Sequence, residues 1–315
     1  MHLSQGNPIV QWLLAGDAAI QCHVWRDLLG EDRRDIRSRI DKEGWGAALL
    51  AKRHADGTWG SGFYQPKWTS SHYTLLDLKN LGIDPHHALL KESVHLISQT
   101  EKREDGGIGP GKSIRVSDVC VNGMFLNYAS YFGETESELR SIVDFLIGQQ
   151  MGDGGFNCLS NRRGAKHSSL HSTISVLEGL CQYRKNGYGY RGAKLDRIAE
   201  DCVSFILLHK LFRSDRTGEI INPGFLRFPY PWRWKYNILR AMDGFRSCAV
   251  LWDDRMQDAV DELARRRRQD GRWRAMAAHP GAVHVTMEKS GRPGRWNTLI
   301  ALRALCHYGC LSPTP

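Results

Sequence analysis

An Asp-Gly turn followed by a large apolar residue recurs along the chain, and a recurrence of this kind restricts the fold to one assembled from repeats. The copies are Asp56-Gly57-Thr58-Trp59-Gly60, Asp105-Gly106-Gly107-Ile108-Gly109, Asp153-Gly154-Gly155-Phe156 and Asp270-Gly271-Arg272-Trp273, with a worn copy at Thr217-Gly218-Glu219-Ile220. Helical patterns precede the turns: Ile142, Phe145, Leu146 and Gln149 lead into Asp153, and Val260, Leu263 and Arg267 lead into Asp270, at the spacing of one buried face. The glycine reads as a helix exit in the left-handed conformation, and the apolar residue after it as an anchor on the neighbouring repeat.

After each turn a polar loop leads into a second helical phrase. These phrases are Ser71-His72-Tyr73-Thr74-Leu75-Leu76, Ser117-Asp118-Val119-Cys120-Val121-Asn122, Leu170-His171-Ser172-Thr173-Ile174-Ser175, Trp234-Lys235-Tyr236-Asn237-Ile238-Leu239 and Arg295-Trp296-Asn297-Thr298-Leu299-Ile300. They align residue for residue, with Ser71, Ser117 and Ser169 where an N-cap would stand. The repeats run roughly over 45–83, 86–133, 136–185, 196–247 and 254–309. With an amino-terminal pair at Gln11 to Leu14 and Ala18 to Leu28, about six helical hairpins result, enough to close a ring. The expected fold is all-α: an α/α toroid around a central cavity, one domain over residues 1–315.

Composition agrees with one repeat-built body, since 41% of the 315 residues are hydrophobic and no low-complexity linker interrupts them. No apolar stretch approaches the roughly 20 residues of a membrane span, and Met1 to Ile20 lacks the build of a secretory leader, so a soluble cytoplasmic protein is expected. Eight cysteines without a C-x-x-C pair suit free thiols better than a disulfide framework. The net charge of +9 sits partly in runs such as Arg265 to Arg268, which read as solvated faces. No nucleic-acid-reading motif accompanies it, so no nucleic-acid partner is expected.

The phrases Gln149-Gln150-Met151-Gly152-Asp153-Gly154-Gly155-Phe156 and Arg268-Gln269-Asp270-Gly271-Arg272-Trp273 resemble the repeats of terpenoid cyclases and protein prenyltransferase β-chains, a likeness that covers about Trp45 to Tyr308. The resemblance implies that the second helix of each hairpin lines an inner barrel. It also implies that His72, Asp118, Cys120, His171 and Trp296 stand near one rim of an apolar cavity. The Asp-x-Asp-Asp acid of the protonating cyclases is absent, and Trp252-Asp253-Asp254 reads more simply as a helix cap.

The prenyltransferase pattern is closer: Gly106-Gly107-Ile108-Gly109, Lys112, Arg115, Asp118 and Cys120, then His171 in the next repeat. By that resemblance Asp118, Cys120 and His171 are catalytic and bind zinc, and Lys112 and Arg115 hold an isoprenoid diphosphate. Val121 stands where those families often carry a tyrosine, and no partner chain is evident. Read from the residues alone, an O, S and N ligand set leaves a fourth zinc position open, whereas Asp118 could instead be a first-turn dipole partner, Cys120 a core thiol and His171 a polar cap. Cys158 and His167 are spare ligands. Aromatic residues that include Trp68, Trp234 and Trp296 either line an apolar cavity or anchor the hairpins, and His72 and these tryptophans are the expected substrate-binding residues. Two functions follow: a zinc-dependent, prenyltransferase-like or cyclase-like enzyme acting on an apolar or isoprenoid substrate, or a non-catalytic lipid or small-molecule binder of the same fold.

Overall fold

The computed structural model describes residues 3–110 and 116–311. Among them 52% are helical and no strand forms, only isolated bridges such as Lys102 with Ile108. In chain order the helices are α1 (Pro8–Leu14), α2 (Ala18–Val24), α3 (Arg34–Arg37), α4 (Gly44–Leu50), α5 (Ser71–Leu81), α6 (Ala88–Thr100), α7 (Val119–Tyr131), α8 (Glu136–Gly148), α9 (Ser160–Arg163), α10 (Leu170–Lys185), α11 (Gly192–Leu208), α12 (Ile238–Ser247), α13 (Gln257–Arg265) and α14 (Arg295–His307). A π-helical turn, Trp25–Leu29, extends α2.

Two kinds of helix alternate. In α6, α8, α11 and α13 only one stripe is buried, as Leu139, Ile142, Val143, Phe145 and Leu146 show for α8. In α5, α7, α12 and α14 almost every residue is buried: Ser71 to Leu78, Val119 to Ser130, Ile238 to Phe245 and Trp296 to Leu305. A helix buried on all sides is central. Helix α5 packs on α7, α7 on α10, α10 on α12, α12 on α14 and α14 on α2. The His23 Nε2–H of α2 donates to the Asn80 carbonyl of α5 at 2.9 Å.

The Asp-Gly turns are built alike. Gly57, Gly106, Gly154 and Gly271 have φ of 89°, 84°, 88° and 75°, a conformation that costs any other residue strain. Each sits in a small loop of its own, closed by paired backbone bonds such as His54 N–H to Thr58 and Gly57 N–H to His54, and does not end the helix itself. The helix has already stopped several residues earlier, at Leu50, Thr100, Gly148 or Arg265.

The residue after each turn is fully buried and donates its backbone N–H to a central helix. Trp59 donates to Ser71 Oγ at 2.9 Å, Ile108 to Asn122 Oδ1 at 2.7 Å, Phe156 to Thr173 Oγ1 at 3.0 Å and Trp273 to Thr298 Oγ1 at 3.0 Å. Ser71 is the first residue of its helix and the others the fourth, so the phrases do not align residue for residue throughout. The serines do not cap as expected either. Ser71 lies inside α5, Ser117 precedes the N-cap residue Asp118, and Ser169 makes no capping bond; instead Ser117 and Ser168 are held by the turn carboxylates Asp105 and Asp153. The worn copy keeps a turn at Gly218, but its Ile220 is 40% exposed and anchors nothing.

One expectation fails outright. Cys181 of α10 and Cys248 just past α12 form a disulfide, with Cα atoms 5.4 Å apart. Packing of α10 on α12 makes neighbours of two thiols 67 residues apart, which no spacing rule in the sequence reveals. No helix among the described residues is long and apolar enough to cross a membrane.

Candidate functional site

The residues expected to bind metal do share one end of the central helices. Asp118 is the N-cap residue of α7, Cys120 is the second residue of α7, and His171 is the second residue of the adjacent α10. Each is engaged elsewhere, however. Asp118 pairs with Arg162 of α9 at 2.7 Å, while burial lifts its carboxyl above the usual range. His171 Nδ1 accepts the Tyr236 backbone N–H at 2.8 Å, which places the ring proton on Nε2 and leaves a neutral imidazole no lone pair for a metal. Burial takes its pKa down to about 4.

Cys120 donates its backbone N–H to the Cys158 sulfur at 3.0 Å, and the nearness of that sulfur together with burial raises its own thiol pKa well above the ordinary value. Among the described residues no three His, Cys, Asp or Glu side chains are grouped to hold a metal. In this arrangement the donor set does not fit zinc. Lys112 and Arg115, expected to hold a diphosphate, lie outside the described residues.

The expected substrate-binding residues separate. His72 is fully buried among Phe63, Tyr64, Tyr73 and Tyr128, where burial lowers its pKa to about 3, so it is a core side chain. Trp68 is buried and donates to the Pro280 carbonyl at 2.6 Å. Trp234 lies at the rim with its ring against His171 and beneath Lys67 and Lys235. Of the four, only Trp296 faces the cavity.

That cavity, about 280 Å³, lies between the carboxy-terminal halves of the central helices, and charge dominates its wall. One position of each helix supplies the side chains: Arg26, Lys79, Asn127, Glu178, Arg246 and Arg303 are each the ninth residue from the start of α2 (counted through its π-turn), α5, α7, α10, α12 and α14. Four of the six are cations.

Most of these charges are matched within the protein. Arg303 donates to Asp243 and, at 2.8 Å, to Asp27; Arg26 donates to Asp27 at 2.7 Å and Arg246 to Asp243 at 3.0 Å. Burial alone would raise both carboxyls, and the neighbouring guanidinium charges, Arg303 foremost, outweigh it and hold them below the ordinary range. Glu178 is gripped by Arg240 from two sides, at 2.9 and 2.7 Å.

Lys79 makes no hydrogen bond or ion pair with the described residues. Burial lowers its pKa to about 8, with Lys185 and Arg303 adding to that effect and Glu178 and Asp243 opposing it. Two further polar atoms at the wall have no partner among the described residues, Asn127 Oδ1 and Trp296 Nε1, on side chains 3% and 1% exposed. Trp296 stacks on Tyr230 with ring centres 4.6 Å apart, and Trp232 completes an aromatic wall. Orphaned buried polar atoms beside an unpaired ammonium describe a place built to receive a polar ligand.

Compared with models of known protein families and with curated protein sequences, the chain matches none of them.

Proposed function

We propose that the chain is an α/α toroid, akin in architecture to the terpenoid cyclases and prenyltransferase β-chains, and that it binds in its central cavity a small molecule with an anionic group and a short apolar or planar body. The cyclic order of helix contacts, from α5 through α14 to α2 and back to α5 by the His23–Asn80 bond, supports the ring. The observation that carries the ligand reading is the cationic surplus at the ninth position, where Lys79, unlike Arg26, Arg246 and Arg303, makes no ion pair with the described residues. An anion there would meet an ammonium group in a site of low dielectric, where such a bond is strong. Tyr230, Trp232 and Trp296 would take the apolar body.

Of the two functions weighed from sequence, this reading is the small-molecule binder with a charged rather than a lipid-like pocket. No metal-assisted transfer enters it, because the expected ligands are engaged elsewhere. Calorimetric titration with pyrophosphate tests it: binding should weaken with salt, and Lys79→Ala should weaken it roughly 10-fold or more, the effect of one charge-assisted hydrogen bond. Geranyl diphosphate should bind more tightly than pyrophosphate if the aromatic wall receives a tail. Binding that ignores Lys79→Ala would refute the site.

A further inference from the structure

At the opposite end of the central helices, Cys158 occupies the loop between the Phe156 anchor and α9. Its sulfur accepts the Cys120 backbone N–H at 3.0 Å, in the first turn of the thirteen-residue α7, and the Ser172 hydroxyl at 3.2 Å. Ser172 Oγ in turn accepts the Cys158 N–H at 3.1 Å, so the loop is pinned to the starts of both α7 and α10. Two donors on one sulfur, one of them a backbone N–H at the start of α7, favour the thiolate, the nucleophilic form of cysteine. Cys158 is partly exposed and Cys120 is buried.

We propose that Cys158 and Cys120 form a thiol–disulfide exchange pair, with Cys158 the attacking sulfur and Cys120 the resolving one, and that the co-substrate is a small disulfide of the glutathione class. The Cys158 thiolate attacks one sulfur of the small disulfide, whose S–S bond breaks and releases one thiolate, leaving a mixed disulfide on Cys158. The negative charge on Cys158 that kept the neighbouring Cys120 thiol protonated is then gone. Cys120 gives its proton to the released thiolate and attacks the Cys158 sulfur, expelling the second thiolate, which takes up the proton that Cys158 lost at the outset. The protein is oxidised by two electrons and the small disulfide is reduced to two thiols.

Neither the metal expectation nor the cavity enters this proposal. The Cys181–Cys248 disulfide lies elsewhere, on α10 and past α12, and serves as an internal reference in each digest. The test uses the full chain, incubated with oxidised glutathione, digested without reductant and mapped by mass spectrometry. Wild type should yield a Cys120–Cys158 cross-link; Cys120→Ser should accumulate glutathione on Cys158; Cys158→Ser should leave Cys120 unmodified. Ser172→Ala should slow alkylation of Cys158 by iodoacetamide at neutral pH several-fold, and the wild-type rate itself should exceed that of Cys306 and Cys310 in the same sample. Glutathione on Cys306 or Cys310 with none on Cys158, or equal alkylation rates in wild type, would overturn the assignment even if a variant failed to fold.

Discussion

The two ends of the central helices carry different chemistry. At the amino-terminal end, loops and the first helical residues bring together thiols, imidazoles and aromatic rings: Cys120, Cys158, His171 and Trp234. At the carboxy-terminal end, one position repeated on six helices encloses a charged cavity. Polar groups at the first end are engaged by backbone donors from neighbouring segments, such as Tyr236 N–H on His171 and Cys120 N–H on Cys158. Those at the second are largely balanced against each other across helices, with the Lys79 ammonium unpaired among the described residues. Ligand chemistry in a repeat protein need not lie beside the motif that defines the repeat.

Loss of charge should separate the ends most sharply. Arg303→Met removes the guanidinium shared by Asp27 and Asp243 and leaves two buried carboxylates short of a partner, which should cost about 3–5 kcal/mol in urea unfolding. Arg162→Ala at the other end breaks a pair that is partly solvated on both sides and should cost no more than about 1 kcal/mol. Equal costs would erase the distinction.

Acid should produce a smaller, graded effect shared by both ends. His72, at about 3, and His23 and His171, at about 4, are held neutral by burial, below the ordinary value near 6.5. The unfolded chain therefore binds more protons than the folded one between these values, so stability should fall as pH drops from 6.5 toward 4. His72→Phe should flatten part of that slope in a urea-midpoint series, whereas a slope equal to that of wild type would place the titration in other groups.

The turns were legible in the sequence because their chemistry is local: glycine supplies the positive φ of Gly57 or Gly271, and a carboxylate such as Asp270 accepts from the chain two residues on. The central helices were legible as apolar phrases after each turn. Their register was not, because Ser71 and Asn122 accept the same kind of anchor bond from different helical positions. The shared end of Asp118, Cys120 and His171 could be placed from the repeats, but their partners Arg162, Cys158 and Tyr236 come from loops that carry no periodic signal.

The cavity left a signal that could have been read. Lys79, Glu178, Arg246 and Arg303 are charged residues at one recurring position of largely buried helices, where a charge survives only with a partner or a purpose. Reading each apolar phrase to its end, rather than its first turn, would have found them. The disulfide had no comparable signal, since Cys181 and Cys248 meet only through the packing of α10 on α12.

If the Lys79 ammonium receives an anion in the cavity, pyrophosphate affinity must follow the titration of that group. Lys79 titrates near 8, so wild type should lose affinity relative to Lys79→Arg as pH rises from 7 to 9, because the guanidinium keeps its charge throughout. Taking the difference between the two proteins cancels the titration of pyrophosphate itself. A difference that stays constant across that range would leave Lys79 a bystander at the cavity wall.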